Sequence, residues 1–418
     1  MNPLYNAAIA LYDAGIALAA LHSPKIRMMK RGRRETLRHL DEKRRRVAPE
    51  GFDLWIHAAS LGEFEQGRPL IERLRRERPG LKILLTFFSP SGYTVRHDFP
   101  LVDAVEYLPS DSPGDVRRFL DAAAPRCAIF VKYEFWGNYL EQLHARGIPT
   151  YIISSIFRPG QRFFRRGGGI FRKMLRHFTH IYVQDESSRR LLESIGLHDV
   201  TVAGDTRFDR VTDIQRAAKP APLVEQFCTR SPETFTFIAG SSWEPDEDVY
   251  LPWLTASGSR VRAIIAPHQF DEMRLRRLVR RCGPGTHLLS EIRQSGAVPE
   301  DCRIIVVDSF GLLSSLYRMA DVAYIGGGFG TGIHNINEAA VYGIPVVFGP
   351  RHHKFKEAAD LMACGGAFEI ADRDSFNATI SSLASEPQAR RKAGEAAGAY
   401  IRCNLGATDK IFADIFGK

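Results

Sequence analysis

Short apolar runs alternate with longer amphipathic runs along most of this 418-residue chain, beginning at Phe52. The predicted strands of the first series are Leu54–His57, Ile83–Phe87, Ala104–Tyr107, Cys127–Val131, Tyr151–Ser154, Ile181–Val183 and Val200–Val202. The intervening patterns predict helices over Gly67–Arg76, Pro113–Ala124, Asn138–Arg146 and Ser187–Ile195. Continuous apolar strands separated by helices predict a parallel sheet that is covered on both faces.

The alternation stops over residues 212–233, where Lys219-Pro220-Ala221-Pro222 and Ser231-Pro232 predict a linker. A second series follows, with predicted strands Phe235–Ala239, Ala263–Ala266, Ile304–Val307, Val322–Ile325, Val346–Phe348 and Ala367–Ile370. We therefore predict an α/β protein with two doubly wound, Rossmann-like domains, residues 49–212 and 234–418, joined by a linker over 213–233. Such domains hold their ligands in a cleft outside the carboxyl ends of the strands.

Residues 1–48 combine an apolar segment with a basic one. Leu4 to Leu21 is mostly apolar, and its polar residues Asn6 and Asp13 are seven apart and so share one helix face. The following segment, Lys25–Arg46, is called the basic collar here and holds eleven Lys/Arg and three acids. Because Asp13 is costly in hydrocarbon, an interfacial helix with its collar on the cytoplasmic side is favoured over a membrane span. A packed N-terminal helix of an ordinary soluble domain is the alternative.

The net charge of +9 indicates an acidic partner: anionic lipid, nucleic acid or a phosphorylated substrate. A second basic stretch, Arg158–Arg176, holds seven Lys/Arg, no acid and three interleaved phenylalanines. Basic residues among aromatics suit a membrane surface or single-stranded nucleic acid, and a solvated helix face is the alternative. The six cysteines lie far apart, which argues against a disulfide framework. His352 and His353 have no third ligand at metal spacing, so no metal site is predicted.

The stretch Val322–Ala340 carries the sharpest signal. It predicts a strand, a turn with five glycines in seven positions that begins Gly326-Gly327-Gly328, and the start of a helix. A helix N-terminus suits a phosphate. Asn335 and Glu338 share one side of this helix, where a carboxylate can hold ribose hydroxyls. A generic nucleotide or phosphate turn is the alternative to a nucleotide-sugar site.

Other candidates follow strands of the first domain. Ser60-Leu61-Gly62-Glu63 follows its first strand, and Glu63 is either a general base toward an acceptor hydroxyl or a complement to a helix dipole. Lys132 and Glu134 follow another strand and either line an acceptor site or belong to a satisfied loop. Arg207 either contacts a phosphate or pairs with Asp209.

In the second domain, Pro267 and His268 follow a strand, and His268 either touches a nucleotide or is structural.

Five motifs together resemble the 3-deoxy-D-manno-octulosonic acid (Kdo) transferases of lipopolysaccharide synthesis. In family order they are Ser60-Leu61-Gly62-Glu63, Glu134-Phe135-Trp136-Gly137-Asn138, Gly204-Asp205-Thr206-Arg207-Phe208-Asp209, Gly326-Gly327-Gly328 and His334-Asn335-Ile336-Asn337-Glu338. The chain differs from many members at Pro267-His268, where they carry Pro-Arg-His, and at Arg207, where they carry Lys.

The resemblance implies a GT-B glycosyltransferase that moves Kdo from CMP-Kdo to a lipid A precursor (lipid IVA) with inversion. It implies no metal, no cofactor and no nucleic-acid partner, and a location at the cytoplasmic face of the inner membrane. By the same resemblance Glu63 is the catalytic base, and Asn335 and Glu338 bind the nucleotide. Two rivals stay open: a GT-B sugar-nucleotide epimerase, and a non-catalytic protein that binds anionic lipid. The oligomeric state is unknown from the sequence.

Overall fold

The structure is a computed structural model that describes residues 3–230 and 234–417. The chain divides into two compact units, one reaching from the N-terminus to Arg210 and including the segment from Leu405, the other spanning Val211–Asn404. Each unit is built on a seven-stranded parallel sheet. The predicted fold class is therefore confirmed as two Rossmann-like α/β domains.

The first sheet has the strand order β3-β2-β1-β4-β5-β6-β7. All strands are parallel, and the order of the strands along the chain runs outward to one edge from β1 and to the other edge from β4. Its strands are β1 Leu54–Ala58, β2 Ile83–Phe87, β3 Ala104–Tyr107, β4 Ala128–Val131, β5 Thr150–Ser155, β6 His180–Val183 and β7 Val200–Val202. On one face Trp55 packs against Phe119, Phe130 and Tyr139, with ring centroids 4.9–5.7 Å apart around this cluster. The strands form where predicted because each is a buried apolar run between turn residues.

The helices of this unit mostly begin at a residue that can cap them. They are α1 Pro3–His22, α2 Pro24–Val47, α3 Leu61–Glu77, α4 Pro90–Arg96, α5 Pro113–Ala123, α6 Gly137–Ala145, α7 Gly169–Leu175, α8 Glu186–Glu193 and α9 Thr206–Arg216. Ser112 and Asp185 accept hydrogen bonds from backbone N–H groups in the first turns of α5 and α8. The sheet is thus covered by helices on both faces, as the alternation predicted.

Helix α1 contacts the first unit through its polar side. Asn6 Oδ1 accepts a hydrogen bond from Asn138 at 2.9 Å, and Asp13 accepts one from the Ser110 hydroxyl. The predicted shared face of Asn6 and Asp13 is confirmed, and that face is turned toward the protein. The large apolar side chains that α1 leaves exposed are Leu4, Leu11, Tyr12, Leu18 and Leu21. By length and composition α1 is also a helix that could cross a membrane.

The second sheet has the order β10-β11-β9-β8-β12-β13-β14. Its strands are β8 Phe235–Ser242, β9 Val261–Pro267, β10 Thr286–Leu288, β11 Ile304–Val306, β12 Val322–Ile325, β13 Val346–Phe348 and β14 Ala367–Glu369. Its helices are α10 Pro222–Thr229, α11 Glu244–Ala256, α12 Glu272–Cys282, α13 Leu289–Ser295, α14 Leu313–Leu316, α15 Asn337–Ala340, α16 Lys356–Ala363, α17 Arg373–Ser385 and α18 Pro387–Cys403. The edge strand β10 is an addition to the predicted set, because its polar, half-buried residues lack a continuous apolar pattern.

Two predicted boundaries need correction. The segment 213–233, predicted as a linker, contains the end of α9 and all of α10, since its prolines lie outside the helix interiors; Ser231-Pro232 lies outside the described residues. The last helix, α19 Ala407–Phe416, belongs to the first unit rather than to a domain spanning 234–418. Ile411 and Phe412 join the core of that unit, and Asp209 accepts hydrogen bonds from the backbone N–H groups of Gly406 and Thr408.

The phenylalanines of the stretch Arg158–Arg176 point inward. Phe163 is buried among Phe135 and Phe157, with ring centroids 4.9 and 5.8 Å away, and Phe164 and Phe171 are partly buried against the same core. The interpretation of interleaved aromatics on a surface is therefore wrong, because the apolar rings complete the core. Six of the seven basic side chains of this stretch are exposed, and Arg172 is half-buried.

Candidate functional site

Four neighbouring strands of the first sheet, β2-β1-β4-β5, have their carboxyl ends at one edge. Ser60, Gly62 and Glu63 follow β1, where the chain enters α3. Lys132 and Glu134 follow β4, the strand next to β1. The sheet thus brings these five predicted residues to the edge at which doubly wound folds bind their ligands.

Glu63 is a partly buried carboxyl group in the first turn of α3. Burial raises its pKa, and the negative charge of Glu134 adds to the rise. The nearby His57 and Lys132 and a backbone hydrogen bond with Ala59 act in the opposite direction. A carboxyl whose pKa is moved up toward neutrality is a better proton acceptor than an exposed one.

Space beside Glu63 is left by Gly62. A Cβ placed on Gly62 would meet nothing nearer than Ser60 Oγ at 4.0 Å, so packing within the protein does not require glycine here. Ser60 Oγ itself lies 3.5 Å from Glu63 Oε2. A substrate group can therefore approach the first turn of α3 without a side chain in its way.

Glu134, whose charge acts on Glu63, is held by two hydrogen-bond donors of the protein. Its Oε2 lies 2.9 Å from Nε2 of His57 and accepts a 2.6 Å hydrogen bond from Trp136 Nε1. His57 is wholly buried in β1, and its Nδ1 lies 2.9 Å from Thr86 Oγ1. Because one carboxylate oxygen already has two partners, Glu134 is positioned by the protein rather than by a substrate.

Three non-glycine residues with positive φ lie at the carboxyl ends of strands. They are Lys132 after β4 at φ 71°, Ser154 in β5 at φ 52° and Ser241 in β8 at φ 55°. Such conformations cost about 1–3 kcal/mol each and cluster at functional sites. They therefore mark the same two sheet edges that the sequence motifs indicate.

Arg207 pairs with Asp205 and not with Asp209. Its Nε and NH2 groups donate to Asp205 Oδ2 at 2.9 and 2.7 Å, while Asp209 is engaged at the start of α19. Burial acts to raise the pKa of Asp205, but the charge of Arg207 and hydrogen bonds from Arg207 and Gln66 outweigh it and hold the pKa below its usual value. The alternative that Arg207 pairs with Asp209 is therefore wrong, because Asp205, two residues before Arg207, offers the nearer carboxylate, and a phosphate contact of Arg207 stays a prediction.

In the second sheet the adjacent strands β9-β8-β12 end together and carry the other predicted residues. His268, after Pro267, is stacked between Trp243 and His334, with ring centroids 4.4 and 4.5 Å apart. Burial lowers the pKa of both imidazoles, and the neighbouring His268 helps to bring that of His334 to about 4. His334 is therefore neutral at pH 7.

The glycines after β12 are needed for packing within the second unit. A Cβ on Gly326 would clash with the backbone of Ser241, and a Cβ on Gly328 would lie 2.5 Å from the backbone N of Gly349. These two glycines therefore allow neighbouring loops of the protein to meet.

The helix predicted directly after this turn begins later and is short. Gly327, at φ 93°, donates its N–H to Asp246 Oδ2 at 2.8 Å. Loop continues to Ile336, and α15 is a single turn, Asn337–Ala340. A phosphate site on the N-terminus of a regular helix is therefore not formed here, because the seven residues that follow Phe329 form loop rather than helix.

Asn335 and Glu338 face each other as predicted, with Asn335 Nδ2 donating to Glu338 Oε1 at 3.1 Å. Asn335 is exposed, so this pair presents an amide and a carboxylate at the surface of the second unit. Asn337, between them, is wholly buried, and no hydrogen-bond partner of its side-chain amide lies among the described residues. Within residues 3–230 and 234–417, no group of three or more His, Cys, Asp or Glu is placed to hold a metal ion.

Comparison with known proteins decides the family. A family model described as 3-deoxy-D-manno-octulosonic-acid transferase (kdotransferase) matches residues 28–210. The 3-deoxy-D-manno-octulosonic acid transferase of Bordetella pertussis is 30% identical over 389 residues, which cover 87% of this chain and 87% of that protein. The chain belongs to the Kdo transferase family. Kdo transferases from Aquifex aeolicus and Haemophilus influenzae are each 26% identical, over 83% and 87% of this chain and 91% and 86% of theirs.

Solved structures confirm the GT-B-type fold of this Kdo transferase family member. UDP-GlcNAc 2-epimerase from Neisseria meningitidis, bound to UDP-GlcNAc, has a TM-score of 0.60 at 13% identity and covers 87% of this chain and 100% of its own. MurG from Acinetobacter baumannii has a TM-score of 0.54 at 12% identity, covering 87% and 99%. At these identities the likeness concerns the fold, whereas the family relatives make the chain a glycosyltransferase.

In this Kdo transferase, some residues that support the predicted ones are not predicted from the sequence. Neither His57 nor Trp136 is predicted individually, although together they hold Glu134 in place. A histidine inside an otherwise apolar strand is the signal that would have indicated a buried polar partner. Arg33 cannot be distinguished in the sequence from the other ten Lys/Arg of the basic collar.

Proposed function

We propose that this enzyme transfers Kdo from CMP-Kdo to a lipid A precursor such as lipid IVA. The observation that carries the proposal is Glu63, a partly buried carboxyl of raised pKa at the carboxyl edge of the first sheet, in a member of the Kdo transferase family. The open space at Gly62 gives an acceptor hydroxyl access to it. The sugar is proposed from the activity for which the relatives are named, and the donor and the acceptor are proposed from the resemblance of the motifs.

In the proposed reaction Glu63 accepts the proton of the acceptor hydroxyl while its oxygen forms a bond to the anomeric carbon of Kdo. The bond from that carbon to the phosphate oxygen breaks on the opposite side, and CMP leaves with the electron pair. Direct displacement inverts the anomeric centre. CMP carries a single phosphate, and we propose that the reaction needs neither a metal nor a cofactor.

The donor is proposed to bind to the second unit. Asn335 and Glu338 present an amide and a carboxylate, which suit the hydroxyls of a ribose. The exposed His268, neutral and stacked on Trp243, is proposed to contact the nucleotide beside the loop Gly326–Gly328. Ser60 and Gly62 are proposed to border the acceptor, with Lys132 adding a positive charge near Glu63. Arg207 and Glu134 are assigned to holding this edge of the sheet, since both are already paired.

Helix α1 is proposed to lie on the cytoplasmic face of the inner membrane. Its polar side is bound to the protein, and Leu4, Leu11 and Leu18 form an exposed stripe at seven-residue spacing. A groove of about 500 Å³ between α1 and α2 is lined by five basic side chains, Arg27, Lys30, Arg31, Arg34 and Arg38. Leucines beside a basic groove suit acyl chains and anionic headgroups.

Release of labelled CMP tests the proposal. We expect release that needs CMP-Kdo and lipid IVA together and that is unchanged by EDTA. Release of CMP without acceptor would indicate hydrolysis, and an altered sugar nucleotide without transfer would indicate an epimerase. Binding to anionic lipid with no turnover at all would indicate a non-catalytic lipid-binding protein. Loss of activity in EDTA, restored by a divalent cation, would contradict the metal-free mechanism.

A further inference from the structure

Arg33 differs from the other cations of the basic collar. It is the one buried Lys or Arg of α2, with 8% of its surface exposed, in a helix that the structure describes throughout. Its Nε and NH2 atoms are buried, and neither has a hydrogen-bond partner among the described residues. Leaving a buried polar group without a partner is costly, and a buried charge more so. A guanidinium in this state points to a missing anionic ligand.

Aromatic rings connect Arg33 to the predicted catalytic edge. Its guanidinium carbon lies 4.3 Å from the ring centroid of Phe88, which follows β2. Phe88 is stacked on Trp136 with centroids 5.1 Å apart and planes 20° apart, and Trp136 donates to Glu134. Arg33 is therefore separated from the carboxylate beside Glu63 by one pair of stacked rings.

A small cavity opens onto the Arg33 side chain. It has a volume of about 150 Å³, enough for several water molecules, and is lined by Asp13, Ile16, Lys30, Arg33, Arg34, Leu37, Pro109, Ser110 and Asp115. The three cations outnumber the two carboxylates, and both carboxylates have partners of their own. Asp13 accepts a hydrogen bond from Ser110, and Asp115 one from Arg118. The cations are thus available to an anion.

No neighbouring carboxylate accepts a hydrogen bond from the Nε and NH2 groups of Arg33 among the described residues. The carboxylates of Asp13 and Asp115 act on Arg33 electrostatically, yet none of the ion pairs within 4.0 Å among the described residues includes Arg33. Planar guanidinium groups bind phosphate through two parallel hydrogen bonds. Asp13 lines this cavity, whereas the exposed Leu4, Leu11 and Leu18 lie on the opposite side of α1.

We propose that Arg33, assisted by Lys30 and Arg34, binds a phosphate group of the acceptor. This assignment rests on the proposed function and adds the group that orients the acceptor toward Glu63. We infer the acceptor's phosphate as the ligand rather than a phospholipid headgroup. The reason is that only the stacked rings of Phe88 and Trp136 separate Arg33 from the predicted catalytic edge. Arg33 is then a substrate-binding residue for which the motifs of the chain gave no signal.

Equilibrium binding tests the assignment independently of turnover. Calorimetric titration, without donor, compares lipid IVA with the same compound after removal of its phosphates. Arg33→Gln is expected to weaken binding of the phosphorylated compound about tenfold or more, and to change binding of the dephosphorylated one by less than about twofold. Arg45→Gln, an exposed residue of the same helix, is the matched control and is expected to leave both affinities unchanged.

Each other outcome overturns the assignment. Equal weakening toward both compounds would show a packing role for Arg33, and equal effects of Arg33→Gln and Arg45→Gln would show only the general field of α2. Loss of binding to anionic phospholipid vesicles with unchanged binding of lipid IVA would assign the site to a headgroup. If Arg33→Gln does not fold, Arg33→Lys keeps the charge but not the fork, and unchanged affinity would overturn the proposal. Failure of wild-type CMP release, with this binding pattern intact, would contradict the proposed function alone.

Discussion

The wholly buried imidazole of His57 lies 2.9 Å from the carboxylate of Glu134. The carboxylate is thereby fixed near Glu63, whose pKa is raised first by burial and then by the charge of Glu134. The pH dependence of the enzyme should report this relationship between two carboxyl groups that follow the adjacent strands β1 and β4.

Glu134→Gln is expected to shift the acid limb of the kcat/KM profile to lower pH. Removing the negative charge lowers the pKa of Glu63, so the base stays deprotonated to a lower pH. The profile is measured with CMP release for wild type and variant, after thermal unfolding has shown that the variant folds. An unchanged acid limb at reduced kcat would mean that Glu134 does not control the ionisation of Glu63.

Glu63→Gln is expected to reduce transfer by about 10²–10⁴ while leaving CMP affinity nearly unchanged. The amide keeps the shape of the side chain but does not accept the proton. Steady-state CMP release and calorimetric CMP binding measure the two quantities. Glu77→Gln, at the exposed end of the same helix, is the control. Wild-type turnover of Glu63→Gln would rule out Glu63 as the base.

Glu338→Ala is expected to weaken CMP binding about tenfold or more, since a charged hydrogen bond contributes about 1.5–3 kcal/mol. The carboxylate faces Asn335, with which it is proposed to hold the ribose. Calorimetric titration with CMP measures the effect, and Glu395→Ala, exposed on α18, is the control. An unchanged dissociation constant would remove Glu338 from the nucleotide site.

The triple substitution Leu4→Ser, Leu11→Ser and Leu18→Ser is expected to release much of the protein from anionic vesicles in high salt. All three side chains are exposed, so the fold should be retained, and the binding left at low salt should come from the basic collar. Sedimentation at low and high salt measures this. Equal sedimentation of both proteins in high salt would show that α1 is not an anchor. Deleting residues 1–24 is a less specific test, because it also removes the partner of Asn138.

Asp205→Asn is expected to destabilise the first unit by about 1–3 kcal/mol at pH 7, because it weakens the hydrogen bonds from Arg207 and Gln66. The pKa of Asp205 is depressed in the folded state. Its contribution is therefore present above the unfolded pKa, about 3.9, and is lost as pH falls through the folded value. Denaturant unfolding at several pH values measures it, with Asp98→Asn as an exposed control. A stability difference that does not shrink in acid would contradict the ion pair.

Much of the fold could be predicted from the sequence because the central strands are buried apolar runs. Five of the predicted strands, including Ile83–Phe87 and Val322–Ile325, have the predicted bounds. The edge strand Thr286–Leu288 was missed because half-burial leaves no such pattern. The place of α19 was missed for another reason: order along the chain does not determine which core a terminal helix joins.

The candidate site was less predictable, because side-chain partners depend on contacts between distant segments. Asn335 and Glu338 contact each other, as their spacing predicts, although Asn335 lies in the loop before α15 and not on the predicted helix. The partner of Arg207 does not follow from spacing, since Asp205 and Asp209 both lie close in sequence. Arg33 could not be distinguished among eleven Lys/Arg of one helix until burial singled it out.

The position of α19 also affects how the protein is made. Asp209 is among the last residues of the first unit before the chain enters the second, yet its hydrogen-bond donors are Gly406 and Thr408. On the ribosome nearly two hundred residues of the second unit are therefore synthesised before Ile411 and Phe412 become available to complete the core of the first unit. Until then that apolar surface stays uncovered on the nascent chain, and exposed apolar surface is prone to aggregation. A fragment ending at Arg210 would remain in this unfinished state, and supplying residues 405–418 as a separate peptide would be the means of completing it.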